Sequence, residues 1–220
     1  MHRLIMTSTT YRQSSRVSAE LDTLDPENRY LARMPMRRMD AEEVYDTILY
    51  VSGLLDETRF GPPDPVEVRR DGLVTPLPAP RGYRRSVYVR QRRSQMPTLL
   101  ETFDLPQMNP NCVARPTSTV AAQALHLLNN GKVRERAEAF ANKVRQSAGN
   151  DSLAQIDWIY LTALSRPPTQ EEREIGANAL KEFQEIWLNH GTLSREQASQ
   201  KALAAYCHTI LNSAAFLYID

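Results

Sequence analysis

Cysteine and aromatic residues are scarce in this sequence: two cysteines, and 7% Phe, Trp and Tyr, in 220 residues. Cys112 and Cys207 lie far apart and outside any Cys-x-x-Cys spacing, which excludes a four-cysteine zinc site and c-type haem attachment within the chain. One disulfide or two free thiols are the remaining readings. An excess of one charge is also missing. Lys and Arg total 27 against 26 Asp and Glu, so nucleic acid and anionic membrane are not expected as obligatory partners. No apolar run approaches the ~20 residues that cross a bilayer, so no membrane span is expected. The four histidines, His2, His126, His190 and His208, lack metal-ligand spacing, and no Gly-x-Ser-x-Gly elbow occurs. Neither a metal nor a cofactor is expected.

The N-terminus turns polar at Thr7, too soon for a signal-peptide core, and read literally this makes the chain cytoplasmic. Yet it begins in helix-like sequence with no N-cap. It therefore reads as a module cut from a longer polypeptide, with Met1 an internal methionine.

What is present points to helices. Asp40-Ala41-Glu42-Glu43 resembles a capping box, followed by Val44, Ile48, Val51 and Leu55 on one face. Ser118-Thr119 offers an N-cap for a helix carrying Val120, Ala124, Leu127 and Leu128. Past Gly131, the stripe Val133, Ala137, Phe140, Val144 continues to about Ser147. A third helix starts near Asp151 and stops at Arg166-Pro167-Pro168, where proline has no N–H to donate. Thr169–Glu172 caps a fourth with Ile175, Ala179, Phe183 and Trp187 inward. Ser194–Gln197 caps a fifth with Leu203, Tyr206, Ile210 and Ala214 inward. Residues 61–82 carry six prolines and three glycines and read as an arm, with a short hairpin around Asp71-Gly72. Ser86–Val89 is the best strand candidate. The expected fold is mainly α, a helical bundle with a small β-hairpin or strand element and an irregular Pro-rich arm. Residues 1–116 would hold the N-terminal helical segment, the arm and the β region, and 117–220 the bundle.

Ordered phrases along the chain carry a resemblance. They are Leu4–Ser8, Tyr11–Ser15, Arg84–Tyr88, Phe103–Pro106, Cys112 and Arg115, Ser118–Leu125, Leu164–Thr169 and Leu211–Tyr218. In this order they resemble the planctomycete-specific C-terminal domain of unknown function found in large exported proteins that often carry a cytochrome-c-like module. The resemblance implies a parent polypeptide with a further domain N-terminal to this one, in a periplasmic or cell-surface setting, and it carries no established activity. Ala122 departs from the family's usual proline and Ala215 from its glutamate. Phe60-Gly61-Pro62 replaces a Gly-Gly-Pro turn.

The chemistry-bearing residues concentrate at Arg81–Arg93, six arginines without an acid. A guanidinium fork suits carboxylate or phosphate, so Arg84, Arg85, Tyr88 and Arg92 are candidate binding residues for a carbohydrate or anion, with Asp104 and Arg115 beside them. The alternative is that these arginines pair internally with acids such as Asp46, Glu101 and Asp104. Ser118 and Thr119 suit a helix cap better than a nucleophile. Glu42 and Asp46, at i,i+4, are a solvated face or arginine partners rather than a glycosidase pair. A structural or interaction module packing on the absent N-terminal domain is the leading expectation. An enzyme whose site is completed by that domain, using Arg84, Arg85 and Asp104, is the rival.

Overall fold

A computed structural model describes residues 1–106, 112, 114–115, 117–189 and 192–219. Two compact units are distinguished: residues 1–39 with 217–220, and residues 40–216.

In the first unit, helix α1 (His2–Met6) and helix α2 (Ala19–Leu24) are short and bury no residue. Ser18 caps α2 by accepting from the Leu21 N–H. Asp25 accepts the N–H groups of Arg29 and Tyr30, which fixes the next turn. Strand β1 (Arg37–Arg38) follows.

The second unit opens with α3 (Ala41–Ser52), and the expected capping box is present between Asp40 and Glu43. Val44, Ile48 and Val51 are buried as the spacing predicts, while Gly53 ends the helix in the left-handed conformation. Leu55 is not on that face; it begins strand β2 (Leu55–Asp56). The Asp71-Gly72 hairpin is also found. Strand β3 (Val66–Val68) pairs antiparallel with β4 (Val74–Pro76), in the register Val68↔Val74 and Val66↔Pro76. Strand β5 (Tyr83–Arg84) pairs parallel with β2. There a Cβ on Gly82 would lie 2.7 Å from the Leu54 carbonyl oxygen, so only glycine lets the two strands approach.

Ser86–Tyr88 is not a strand but one turn of 3-10 helix. The Ser86 N–H is taken by the Asp46 carboxylate, and the amides of Tyr88 and Val89 close short turns to Arg85 and Ser86. Those N–H groups are unavailable to a ladder, and Val87 is left 76% exposed.

The helices of the C-terminal half are α4 (Thr98–Thr102), α5 (Ala121–Asn129), α6 (Gly131–Ala148), α7 (Ser152–Leu164), α8 (Gln170–Asn189), α9 (Arg195–Leu211) and α10 (Ala214–Leu217). Mainly α, as expected, the unit is built around α6 and α9, with α3 and α7 on α6 and α8 on α9. Phe140, Val144, Ile156, Ile159, Leu203 and Leu211 are fully buried there. Asp151, Thr169 and Ser194 cap their helices as read. Ser118 does not cap α5; its N-cap is Val120, and the Ser118 hydroxyl bonds Asp104 instead. The α8 face is also rotated from expectation. Gly176 and Leu180 are buried, whereas Ile175 is 60% and Trp187 39% exposed. Ala214 is exposed, and the buried residue at that end is Phe216. Strand β6 (Tyr218–Ile219) returns to the first unit, antiparallel to β1.

Both cysteines are free thiols, Cys112 exposed and Cys207 buried. Among the described residues, no helix is long and apolar enough to cross a membrane.

The rotation of α8 has a steric origin. A Cβ on Gly176 would meet the Tyr206 hydroxyl at 2.5 Å and Ile156 Cδ1 at 3.0 Å, so the helix seats its glycine against α7 and α9. Gly176→Ala is expected to destabilise the protein by roughly 1–3 kcal/mol, the usual range for overpacking. Urea unfolding checks this, with Ala177→Gly as the control for helix propensity.

Candidate functional site

The arginine-rich segment folds against the Pro-rich arm. Pro62, Pro63 and Pro65 have no N–H, so the first residues of the arm, before its hairpin, offer few donors of their own, and the carbonyls there need donors from elsewhere. Arg84 supplies them. Its Nη1 donates to the Phe60 carbonyl at 2.7 Å and its Nη2 to the Pro62 carbonyl at 2.6 Å. Nη2 also meets Asp64 Oδ1 at 2.7 Å, and Nε donates to the same carboxylate at 3.0 Å. Both side chains of this ion pair are only 7% exposed. The hydrogen-bonded Asp64 carboxylate raises the Arg84 pKa above the ordinary guanidinium value.

Tyr88 lies beneath the guanidinium, with its ring centroid 4.6 Å away. Its hydroxyl accepts the Phe60 N–H. Phe60 itself holds φ 66°, in the left-handed region that favours glycine, at the turn where the resemblance calls for a glycine. Its side chain is exposed, so its backbone groups fix it there.

Arg85 points elsewhere, to Glu57 at 3.2 Å and Asp46 at 3.9 Å, and is about half exposed. Asp46 also accepts the Ser86 N–H at 2.6 Å. Burial raises its pKa more than that hydrogen bond lowers it. Arg92 is an exposed residue whose carbonyl accepts the Gln95 N–H. Arg115 binds the start of α3, with both Nη atoms 2.8 Å from Glu42 and Asp40 at 3.4 Å. Its hydrogen bonds lower the Glu42 pKa. Asp104 accepts from both the N–H and the hydroxyl of Ser118.

The six candidates therefore fall into separate contact sets rather than one pocket. Of the internal partners expected for the arginines, Asp46 is one, for Arg85, while Asp64 was not foreseen. Glu42 and Asp46 serve as arginine partners. Among the described residues, no three His, Cys, Asp or Glu side chains are grouped to hold a metal. His190 lies outside the described residues.

Sequence reading missed Arg136. It lies on α6, 4% exposed, with the Tyr45 ring centroid 5.1 Å and the Tyr83 centroid 5.3 Å from its guanidinium carbon. The signal was available: Arg136 is i+3 from Val133 and i−4 from Phe140, on the apolar face of an otherwise ordinary stripe. Alternation along β5 sends Tyr83 to Arg136 and Arg84 to Asp64.

Residues 1–180 match the family model described as "PSD1: Protein of unknown function (DUF1553)". No curated protein and no solved structure matches the chain.

Two outcomes follow from these contacts. Arg84→Ala strands a buried carboxylate and two backbone carbonyls, so it should lower the urea midpoint far more than Arg85→Ala, a half-exposed side chain whose nearer partner, Glu57, is exposed and whose other partner, Asp46, keeps the Ser86 N–H. Equal midpoints would contradict the clamp. The Glu42–Arg115 pair depends on pH with a defined sign. The folded-state pKa of Glu42 lies below its ordinary 4.5, so the stabilisation is complete above 4.5 and fades as pH falls below it. The stability gap between wild type and Glu42→Gln, present at pH 7, should therefore narrow on acidification below pH 4.5.

Proposed function

The chain belongs to the DUF1553 family, and we propose that it is a non-catalytic interaction module that packs against another domain of its own polypeptide. One observation carries this reading. In the first 36 residues Leu4, Met6, Val17, Leu24, Tyr30 and Met36 are all more than half exposed, and α1 and α2 bury nothing. Such a concentration of uncovered apolar side chains marks an interaction surface. A further domain of the same polypeptide is the occupant that the sequence resemblance implies.

The charged candidates support the same reading from the other side. Arg84, Arg85, Arg115 and Asp104 are each engaged by internal partners, which leaves them structural work. The exported parent and planctomycete setting implied by the sequence resemblance form part of this proposal. A carbohydrate or anion site at Arg84, Arg85, Tyr88 and Arg92 is the weaker reading, because four of the five N–H donors of Arg84 are already bonded within the chain and its charge is paired with Asp64.

Protease protection tests the module reading. In the isolated chain, brief trypsin treatment should cut at Arg3, Arg12, Arg16, Arg29 and Arg33 well before the helices of residues 40–216 are touched. In the native polypeptide from its own cells, detected with an antibody to this domain, a band well above 25.1 kDa is expected, with residues 1–36 protected. Equal cutting in both, or a native band at 25.1 kDa with no partner, would overturn the proposal.

A further inference from the structure

Arg136 stands apart from the arginines already described. Among the described residues, no carboxylate pairs with its guanidinium, whose neighbours are the Tyr45 and Tyr83 rings. Burial pushes its pKa below the ordinary guanidinium value, against the weaker pull of Tyr45, Tyr83 and Glu135. Close by, the Tyr45 hydroxyl is buried; its polar neighbour is the Arg136 guanidinium, itself a donor, so the hydroxyl proton has no acceptor among the described residues.

Both groups line one cavity of about 20 Å³, together with Thr75, His126, Asn130 and Lys132. No carboxylate lines it. Lys132 is already paired with Glu135 at 2.9 Å. His126 has its pKa lowered by burial and then by the Arg136 charge, and its Nε2 lies 3.1 Å from the Asn130 side-chain nitrogen. At neutral pH the imidazole is therefore uncharged, and the cavity presents one unneutralised positive charge. The first turn of α6, which supplies Lys132 and Val133, adds the positive end of its dipole.

Size narrows the occupant further. The cavity exceeds the ~10–15 Å³ that one water-sized guest needs, and is too small for a tetrahedral oxyanion. It adjoins an open groove of about 530 Å³ that shares His126 and Asn130. In the groove wall Arg69 and Asp71 neutralise each other at 2.7 Å.

We infer that this cavity binds a monovalent anion no wider than one carboxylate: a halide, or the carboxylate end of an organic acid whose body lies in the groove. Tyr45 donates its hydroxyl to that anion, and Arg136 supplies the charge. The site does not depend on the module reading, since none of its residues belongs to the exposed N-terminal segment.

The whole chain is titrated with sodium chloride, acetate and hexanoate at constant ionic strength, with sodium methanesulfonate as the balancing salt, and Tm is followed. A saturable rise is expected, equivalent to a ~100-fold shift toward the folded state at one hundred times the dissociation constant. Saturation by hexanoate below acetate assigns an organic acid; a response to chloride alone assigns a halide. Arg136→Met should abolish the saturable rise, and Lys132→Ala should keep it. Should Arg136→Met fail to fold, chlorine NMR line broadening by the wild-type chain, reversed by acetate, decides. The absence of any saturable effect, its survival in Arg136→Met, or tighter binding of phosphate than of chloride and carboxylates would each overturn the inference.

Discussion

The Arg84–Asp64 ion pair is the contact on which the middle of the molecule depends. A proline-rich arm has a specific chemical problem: it keeps its carbonyls while losing the N–H groups that would pair them. A five-donor guanidinium solves this from one position, because its fork reaches Phe60, Pro62 and Asp64 together. Asp64 then extends the order outward. Its backbone N–H donates to Tyr88 and its carbonyl accepts from Arg90, joining the arm to the segment that carries the arginine. The clamp thus builds structure where neither a helix nor a wide sheet can form. A lysine would replace the charge without the geometry.

Legibility in the sequence followed the range of the interactions involved. Helix starts at Asp40, Asp151, Thr169 and Ser194 were readable because a cap is a contact between residues three or fewer apart. The Asp71-Gly72 hairpin was readable for the same reason. Helix faces were less so. On α8 the apolar stripe through Ile175 and Trp187 is real, yet a glycine decides the seating, because Gly176 permits the closest approach of Tyr206. Ser86–Val89 has strand composition, and a carboxylate forty residues away, Asp46, takes the amide that a strand would have used. Ser118 has the side chain of a cap but is held by Asp104. In each failure a long-range partner outweighed a sound local preference.

The candidate site was legible as a set of residues and not as a set of partners. An acid-free run of arginines announces that carboxylates must come from elsewhere, without naming them. Asp64, twenty residues upstream in the arm, gives no periodic or local sign of its role. Arg136 was hidden differently. It lies between Arg134 and Glu135 on one side and Ala137 and Glu138 on the other, where a charged residue reads as solvent-facing. Only its register with Val133 and Phe140 shows that it turns inward.

Arg84 and Arg136 show how two buried arginines in one unit differ in meaning. Arg84 is complete: Nε and both Nη atoms are bonded, and burial is compensated by a carboxylate in good geometry. Stacking on Tyr88 adds to a finished arrangement. Arg136 has the stacking without the carboxylate, and two tyrosine faces only partly replace the hydration that its guanidinium gave up. Packing alone does not call for a cation at this place, since leucine or methionine would fill the same volume between α3 and α6 at no electrostatic cost. A charge held in that environment without a carboxylate, beside a buried hydroxyl whose proton has no acceptor, matches the donors of an anion site more closely than those of a scaffold. The same chemistry that closes the Arg84 clamp is what the Arg136 cavity lacks, and an anion of the right size would supply it.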